Sequence, residues 1–468
     1  MKGEKMSLSE KRNIDLGNDK ISKIFWSYAI PSIFAMLAQS TAGLVDSVFI
    51  GRYIGADGLS AITLIMPIIM LLGGIGTMIG IGGTTLAGIH KGKGNLEKSN
   101  NYFNITMVLL SGVAIIATII LFTMSGKISS LLGAKGKVAE CMISYTEIIS
   151  LFFIAFLLTF AGSFFLKLDG KPVEVVMIIL SGTGINILLD YLFVGVLGWN
   201  MKGAALATGI SQLIPWMLML YIIKFKSTWM FSIPNFKLKE IGEMLFNGSS
   251  ELLSMAAASI AGFIYNIIII EKIGMDGVAA YAVALQITTI STSVFYGFAE
   301  AIQAAVSFNL GGNKLHRVKK LRNISIYANL ISGVMLCVVS LMFGESIASI
   351  FIKEQITIDM AAYILDFYAV AFLLSGVNIT LATYYTAVNS PLLSGILSMS
   401  RSLIGLMIGL VILPFIFGKQ GIWMAVIFAE ITTVVVGMIC MRRYPFGKLN
   451  KSHILSINHR QSRRRNCI

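Results

Sequence analysis

Residues 54–58 read Ile54-Gly55-Ala56-Asp57-Gly58, and 219 positions later the chain reads Ile273-Gly274-Met275-Asp276-Gly277. At the same offset Gly43 meets Gly262, Ile50 meets Ile269, Ala61 meets Ala280, Gly92 meets Gly311 and Pro172 meets Pro391. Ungapped agreement across several loops marks an internal duplication. Long apolar runs flank both copies. The 468 residues are 56% hydrophobic and only 13% charged, with a mean hydropathy of +0.80. A soluble chain of this length carries about a quarter of its residues charged. A soluble enzyme is therefore excluded. With 8 prolines, 45 glycines and no low-complexity run, so is a disordered or fibrous chain.

Runs of roughly 20 apolar residues, enough to cross a bilayer, fall near 24–50, 59–87, 101–123, 142–166, 174–197, 202–225, 241–270, 278–308, 321–343, 360–387, 393–416 and 420–441. The expected fold is an all-α integral membrane protein with twelve transmembrane helices in two six-helix bundles. Six spans per half insert both halves the same way up, related by an axis along the membrane normal. The expected organisation is a tail at 1–23, an N-lobe at 24–225, a linker at 226–240, a C-lobe at 241–441 and a basic tail at 442–468. With both tails inside, 28 of the 37 Lys and Arg fall inside and 8 outside, leaving Arg401 within a span. The positive-inside rule then places both termini in the cytoplasm of a cell-membrane protein. Two matched bundles around a cleft are an architecture for transport, although a duplication kept only for packing would look the same.

The net charge of +14 lies in loops and tails, with no basic helix or aromatic-interleaved motif, so nucleic acid is not an expected partner. No glycine-rich phosphate loop precedes a Lys-Ser or Lys-Thr pair, so ATP hydrolysis is not expected. His90, His316, His453 and His459 all lie in basic loops or the tail. Cys141, Cys337, Cys440 and Cys467 form no CxxC pair, and Cys467 does not fit a prenylation box. The first 20 residues are polar and do not read as a signal peptide. An ion-driven transporter without an organic cofactor is the reading left, and a monomer is expected although no motif fixes the oligomeric state.

Asp46, Asp190, Glu251, Glu300 and Glu430 lie well inside the apolar runs. Each would cost about 2.5–3.5 kcal/mol to insert as a charge, and Arg401 is the one cation expected to offset them. At about 1.5 Å of rise per residue, Asp46, Asp190 and Thr208 reach depths of about 6, 10 and 9 Å from the outer ends of their helices. Asn186 lies one turn below Asp190 on the same face, and Gln39 two turns below Asp46. Acid, amide and hydroxyl groups from three helices thus meet at one level, a donor set for a shared proton or a partly dehydrated Na⁺. A hydrogen-bonded polar core that only fixes packing would use the same residues. At the 219 offset the second half offers Tyr265, Gly405 and Gly409 instead, so the site is expected in one lobe.

Glu251, Glu300 and Arg401 form a second set about 12–15 Å from the cytoplasmic side, with Glu430 near mid-span. They read either as a structural ion pair or as contacts lining a substrate cavity with Gln39. Pro31, lacking an N–H, should kink the first span. The glycines between 73 and 83, with Gly76 and Gly80 at GxxxG spacing, read as close helix packing.

Pro31 with Gln39-Ser40-Thr41-Ala42-Gly43-Leu44-Val45-Asp46-Ser47-Val48-Phe49-Ile50-Gly51 resembles the first helix of the multidrug and toxic compound extrusion (MATE) family. Gly184-Ile185-Asn186-Ile187-Leu188-Leu189-Asp190 and Gly203-Ala204-Ala205-Leu206-Ala207-Thr208 resemble its later motifs. Gly248-Ser249-Ser250-Glu251 and Gly421-Ile422-Trp423 with Glu430 resemble its MepA-like branch. The resemblance covers about residues 20–440. It implies two lobes around a cavity open alternately to each side, and export of cationic amphiphilic compounds in exchange for H⁺ or Na⁺. It also implies that Asp46, Asn186, Asp190 and Thr208 form the amino-lobe cation site and that Pro31 is the bending proline. Another branch places coupling carboxylates on the seventh and tenth helices. The matching positions here are Ser259 and the Val377–Asn378 region, so the resemblance carries no carboxy-lobe cation site. The alternative function is a flippase for lipid-linked precursors, which would need a larger cationic lining.

Overall fold

A computed structural model describes residues 14–351 and 354–443. The sequence readings on the first thirteen residues and on the basic tail from 444, with His453, His459 and Cys467, lie outside the described residues. Within lipid every backbone N–H and C=O must be satisfied inside its own segment, and the spans are accordingly helical, with no strand among the described residues.

The first half comprises α1 (Ile21–Tyr53), α2 (Ala56–Gly92), α3 (Leu96–Thr123), the short α4 (Ser125–Leu131), α5 (Gly136–Ser150), α6 (Phe153–Leu168), α7 (Pro172–Asp190) and α8 (Asn200–Lys226). The second comprises α9 (Leu238–Lys272), α10 (Met275–Gly311), α11 (Leu315–Ala348), α12 (Gln355–Ala387), α13 (Pro391–Met399), α14 (Gly405–Phe417) and α15 (Lys419–Arg443). Eleven spans are single runs, and α5 with α6 makes a twelfth that is bent by 55°. Two segments wind as π-helix, Tyr191–Val196 after α7 and Ser400–Ile404 between α13 and α14.

The repeat has a physical cause in each copy. Gly55 and Gly274 hold φ of +89° and +104° at the hairpins before α2 and α10, a region that favours glycine. Gly58 and Gly277 each lie against the isoleucines of the preceding helix end, where a Cβ would press on Ile54 or Ile273. Pro172 and Pro391 both open a helix at its first position, where the missing N–H costs nothing. Gly92 and Gly311 face each other across the halves. A Cβ on Gly92 would collide with the Phe308 carbonyl, and one on Gly311 with the Ile89 carbonyl.

The halves meet mainly through α1 on α10 and α2 on α9. Around the face bearing Leu16 and Cys440 one hydrophobic core runs through both, joining Phe25, Tyr28 and Phe165 to Phe298, Ile302 and Tyr385. Phe25 stacks on Phe298 at 5.9 Å. The seam is close because it is lined with glycine: Gly248 lies on the Met78 carbonyl, Gly82 on the Met244 carbonyl and Gly297 on Ile33. It extends up α1 as far as Ser40, whose Oγ is 2.7 Å from Ser293 Oγ. Toward the opposite face the core divides. One cluster contains Ile50, Tyr145 and Val194, another Tyr265, Phe295 and Trp423, and neither includes a residue of the other half. Gly76 and Gly80, at the expected packing spacing, lie within the first half on Leu157 and Ala161.

Candidate functional site

Asp46 on α1, Asn186 and Asp190 on α7, and Thr208 on α8 converge in the first half, where α7 packs on both α1 and α8. Asp190 is fully buried and lies close enough to Asp46 for the two charges to interact. The π-helical turn begins at the next residue, Tyr191. Such turns displace side chains from α-helical register and are common at functional sites. Five buried polar atoms here have no hydrogen-bond partner among the described residues: Asp46 Oδ1, both carboxylate oxygens of Asp190, Asn186 Nδ2 and Thr208 Oγ1. Buried polar groups are nearly always paired, and this concentration of orphans marks a place built for something that supplies charge or hydrogen bonds.

Sequence reasoning missed a fifth member. Tyr145 on α5 is 3% exposed, and its hydroxyl lies near Asp46, Asp190 and Thr208 together. Two carboxylates, an amide and hydroxyls are hard oxygen donors, fitted to a proton or Na⁺. No group of three or more His, Cys, Asp or Glu suited to a metal ion occurs among the described residues. At the 219 offset Tyr265 donates its hydroxyl to the Ile422 carbonyl at 2.8 Å and packs with Tyr281 and Trp423. Gly405 and Gly409 let α14 lie on Ala429 and Ala425. The second half thus uses those positions for packing.

The second set of charges separates. Glu300 Oε2 meets Lys167 Nζ at 2.8 Å across the seam between α10 and α6. Arg401 Nε meets Glu430 Oε1 at 2.9 Å. Glu251 accepts a hydrogen bond from Thr386 Oγ1 at 3.3 Å and joins no ion pair among the described residues. Lys167 corrects the expectation that Arg401 is the one buried cation. Its helix runs to Leu168, so the lysine turns into the interlobe core instead of toward water. Glu147 on α5, bonded by Ser125, and Asp366 on α12 also lie within spanning helices, away from their ends. Gln39 is exposed on α1. α1 is one unbroken α-helix through Pro31, so the kink expected there does not interrupt it in this arrangement.

The MatE family model matches residues 31–192 and 252–411. The chain is 25% identical over 423 residues to the multidrug export protein MepA of Staphylococcus haemolyticus (strain JCSC1435), covering 89% of this chain and 92% of that protein. It is 24% identical over 447 residues to MepA of Staphylococcus aureus (strain N315), covering 94% and 96%. Among solved structures, a MATE in complex with MaL6 superposes with a TM-score of 0.89 at 21% identity, covering 93% of this chain and 98% of that one. An outward-facing multidrug resistance MATE family transporter of the MOP superfamily superposes at 0.88 and 21% identity, covering 96% and 100%.

Proposed function

The chain belongs to the MatE family of membrane transporters, and from that premise we propose that it exports cationic amphiphilic organic compounds by antiport with H⁺ or Na⁺. The observation that carries the reading is the group of orphaned polar atoms on Asp46, Asn186, Asp190 and Thr208. The coupling ion enters this cluster when the cleft opens away from the termini face, and neutralises it. The lobes, 24–225 and 241–441 joined by the linker 226–240, then exchange access. Pro31, whose ring leaves α1 one hydrogen bond short, is where that helix bends. Both termini lie in the cytoplasm, so the closed seam faces inward and the divided core outward. Drug and ion need only favour opposite states by a few kcal/mol for exchange to follow. A single chain in the cell membrane suffices, and the coupling ion serves in place of a cofactor.

A flippase for lipid-linked precursors is disfavoured. Its anionic pyrophosphate needs free cations, whereas Lys167 and Arg401 both sit in ion pairs. The test is ethidium efflux in everted vesicles under a pH gradient or a Na⁺ gradient imposed separately. Gradient-driven efflux is expected in the natural protein and abolished in Asp46→Asn at equal expression. Absence of gradient-dependent efflux in the natural protein across several cations sinks the export reading. Efflux surviving in Asp46→Asn moves the coupling site elsewhere.

A further inference from the structure

The segment joining the halves, 227–237, has no regular secondary structure, yet its backbone is held at several points. Asn100 Nδ2 donates to the Met230 carbonyl at 2.8 Å, and the Met230 N–H donates back to Asn100 Oδ1 at 2.9 Å. Asn104 Oδ1 accepts from the Ser232 N–H at 2.9 Å. Asn101 Nδ2 donates to the Asn235 carbonyl at 3.1 Å and its Oδ1 accepts from the Asn235 N–H at 2.8 Å. Three side chains of α3 thus do for this strap what a neighbouring strand does in a sheet. A segment in open water needs no such partners, whereas one at the edge of lipid does.

The depth fits that edge. α3 has 28 residues, about 42 Å, against a hydrocarbon core of about 30 Å. With the excess shared between its ends, the lipid boundary falls about one turn inside the helix, where Asn100 and Asn101 stand. The duplication supplies a comparison. At the 219 offset Asn100 and Asn101 meet Lys319 and Lys320, both exposed, and Asn104 meets Asn323, which accepts from Arg322. The two strap-binding asparagines are therefore a feature of the first half and its linker, not of the repeat.

The strap's side chains divide by direction. Trp229 turns inward against Phe103 and Phe165, its Nε1 donating to the Phe165 carbonyl at 2.9 Å. Met230, Ile233, Phe236 and Leu238 turn outward, with Ile233 96% and Leu238 89% exposed. Apolar groups clustered on a firmly held segment mark a contact surface. Lys224, Lys226 and Lys237 flank them, all exposed and in no ion pair among the described residues. The acids next along the chain, Glu240 and Glu243, meet Lys98 and Lys239 instead.

We propose that the linker is a membrane anchor that recognises anionic phospholipid. Met230, Ile233, Phe236 and Leu238 enter the edge of the leaflet on their side, and Lys224, Lys226 and Lys237 bind its phosphate headgroups. An apolar face flanked by lysine binds a bilayer through buried area together with attraction to anionic lipid. Each lysine near the surface is worth about fivefold in that attraction. The unpaired lysines, placed at the depth of the phosphates, favour lipid over a protein partner. The inference holds whichever compound is exported, since it concerns the contact with the bilayer and not the cleft.

The experiment places bimane on Ile233→Cys in the full chain, its four native cysteines replaced by serine, with a single copy per nanodisc. The nanodiscs hold an equimolar mixture of phosphatidylglycerol and phosphatidylcholine, with acyl-chain bromine on one lipid or on the other. Both should quench the label, brominated phosphatidylglycerol about twofold more strongly. Lys224→Gln, Lys226→Gln and Lys237→Gln together should equalise the two lipids while quenching persists. No quenching by either lipid, equal quenching with the lysines in place, or a preference unchanged in the triple variant overturns the proposal. Added inorganic phosphate should leave the preference intact, and its loss would assign the lysines to a free phosphate ion and overturn the anchor. Ethidium efflux on the same protein is read alongside: its absence sinks export while the quenching stands.

Discussion

Burying Asp46 and Asp190 as charges would cost about 2.5–3.5 kcal/mol apiece, and among the described residues no lysine or arginine forms an ion pair with either. In the proposed antiport an arriving cation removes that penalty, so that the pair works as a switch. The grouping of Asp46, Asn186, Asp190 and Thr208 was legible because polar residues are conspicuous in apolar helices and their depth follows from helix rise. Tyr145 was not, since a tyrosine in an apolar run carries no mark of what its hydroxyl meets. Its position beside Thr208 and both carboxylates predicts that Tyr145→Phe weakens ion binding about five- to tenfold, the worth of one neutral hydrogen bond. Maximal efflux at saturating ion should survive. The dependence of efflux rate on ion concentration measures this, and an unshifted curve removes Tyr145 from the site. Lys167 escaped for another reason: from sequence it is a flanking lysine, and only the reach of α6 turns it inward.

At the scale of elements, the seam depends on glycine and on one ion pair. Gly248 lies directly on the Met78 carbonyl of the other lobe, so even one methyl group must push α9 off α2. Gly248→Val should hold the seam open and speed alkylation of a cysteine placed at Ser307, itself buried there. Unchanged alkylation would show that the seam can yield elsewhere. The Lys167–Glu300 pair crosses the same seam. Removing one partner leaves a buried charge unpaired, at about 3–5 kcal/mol. Lys167→Met alone should therefore open the seam more than Lys167→Met with Glu300→Leu. The same alkylation rates, read as a double-mutant cycle, test this, and additive effects would mean that the two residues do not interact. The hairpin repeat around Gly55 and Gly274 was readable because a positive φ admits few residues. The pairing of Lys167 with Glu300 was not, because no local pattern relates positions 133 apart.

For the whole molecule, two segments outside the helices are held by specific hydrogen bonds. Asn100, Asn101 and Asn104 on α3 hold the backbone of Met230, Ser232 and Asn235, so the linker is strapped to the first lobe. Before α1, the turn at Asp15–Asp19 bridges the lobes: Ile14 N–H meets the Gly170 carbonyl, while Lys314 and Arg317 hold the Gly17 and Leu16 carbonyls. Sequence had marked both stretches only as polar, because their partners are backbone groups far along the chain. Partial desolvation opposes the charge on Asp15. Hydrogen bonds from Asn18 and Gly17 and the nearby Lys314 nonetheless hold its carboxyl below the ordinary 3.8. A depressed carboxylate stabilises the folded turn above its unfolded value, and that stability is lost as pH falls through the folded one. The turn should therefore persist from pH 5 to 8, with Gly17 and Asn18 amides protected from hydrogen exchange throughout. Loss of protection in that window would contradict this. Any pH dependence of transport there then has a source other than this turn. The central claim is that ion and drug compete through the Asp46–Asp190 cluster, and reciprocity requires each to weaken the other. Ethidium affinity of the purified protein, titrated across pH and Na⁺ concentration, measures this most directly. The account predicts an affinity that falls about tenfold as one of the two ions saturates, and that is flat against both in Asp46→Asn. Affinity indifferent to both ions in the natural protein, or still ion-dependent in Asp46→Asn, would contradict it.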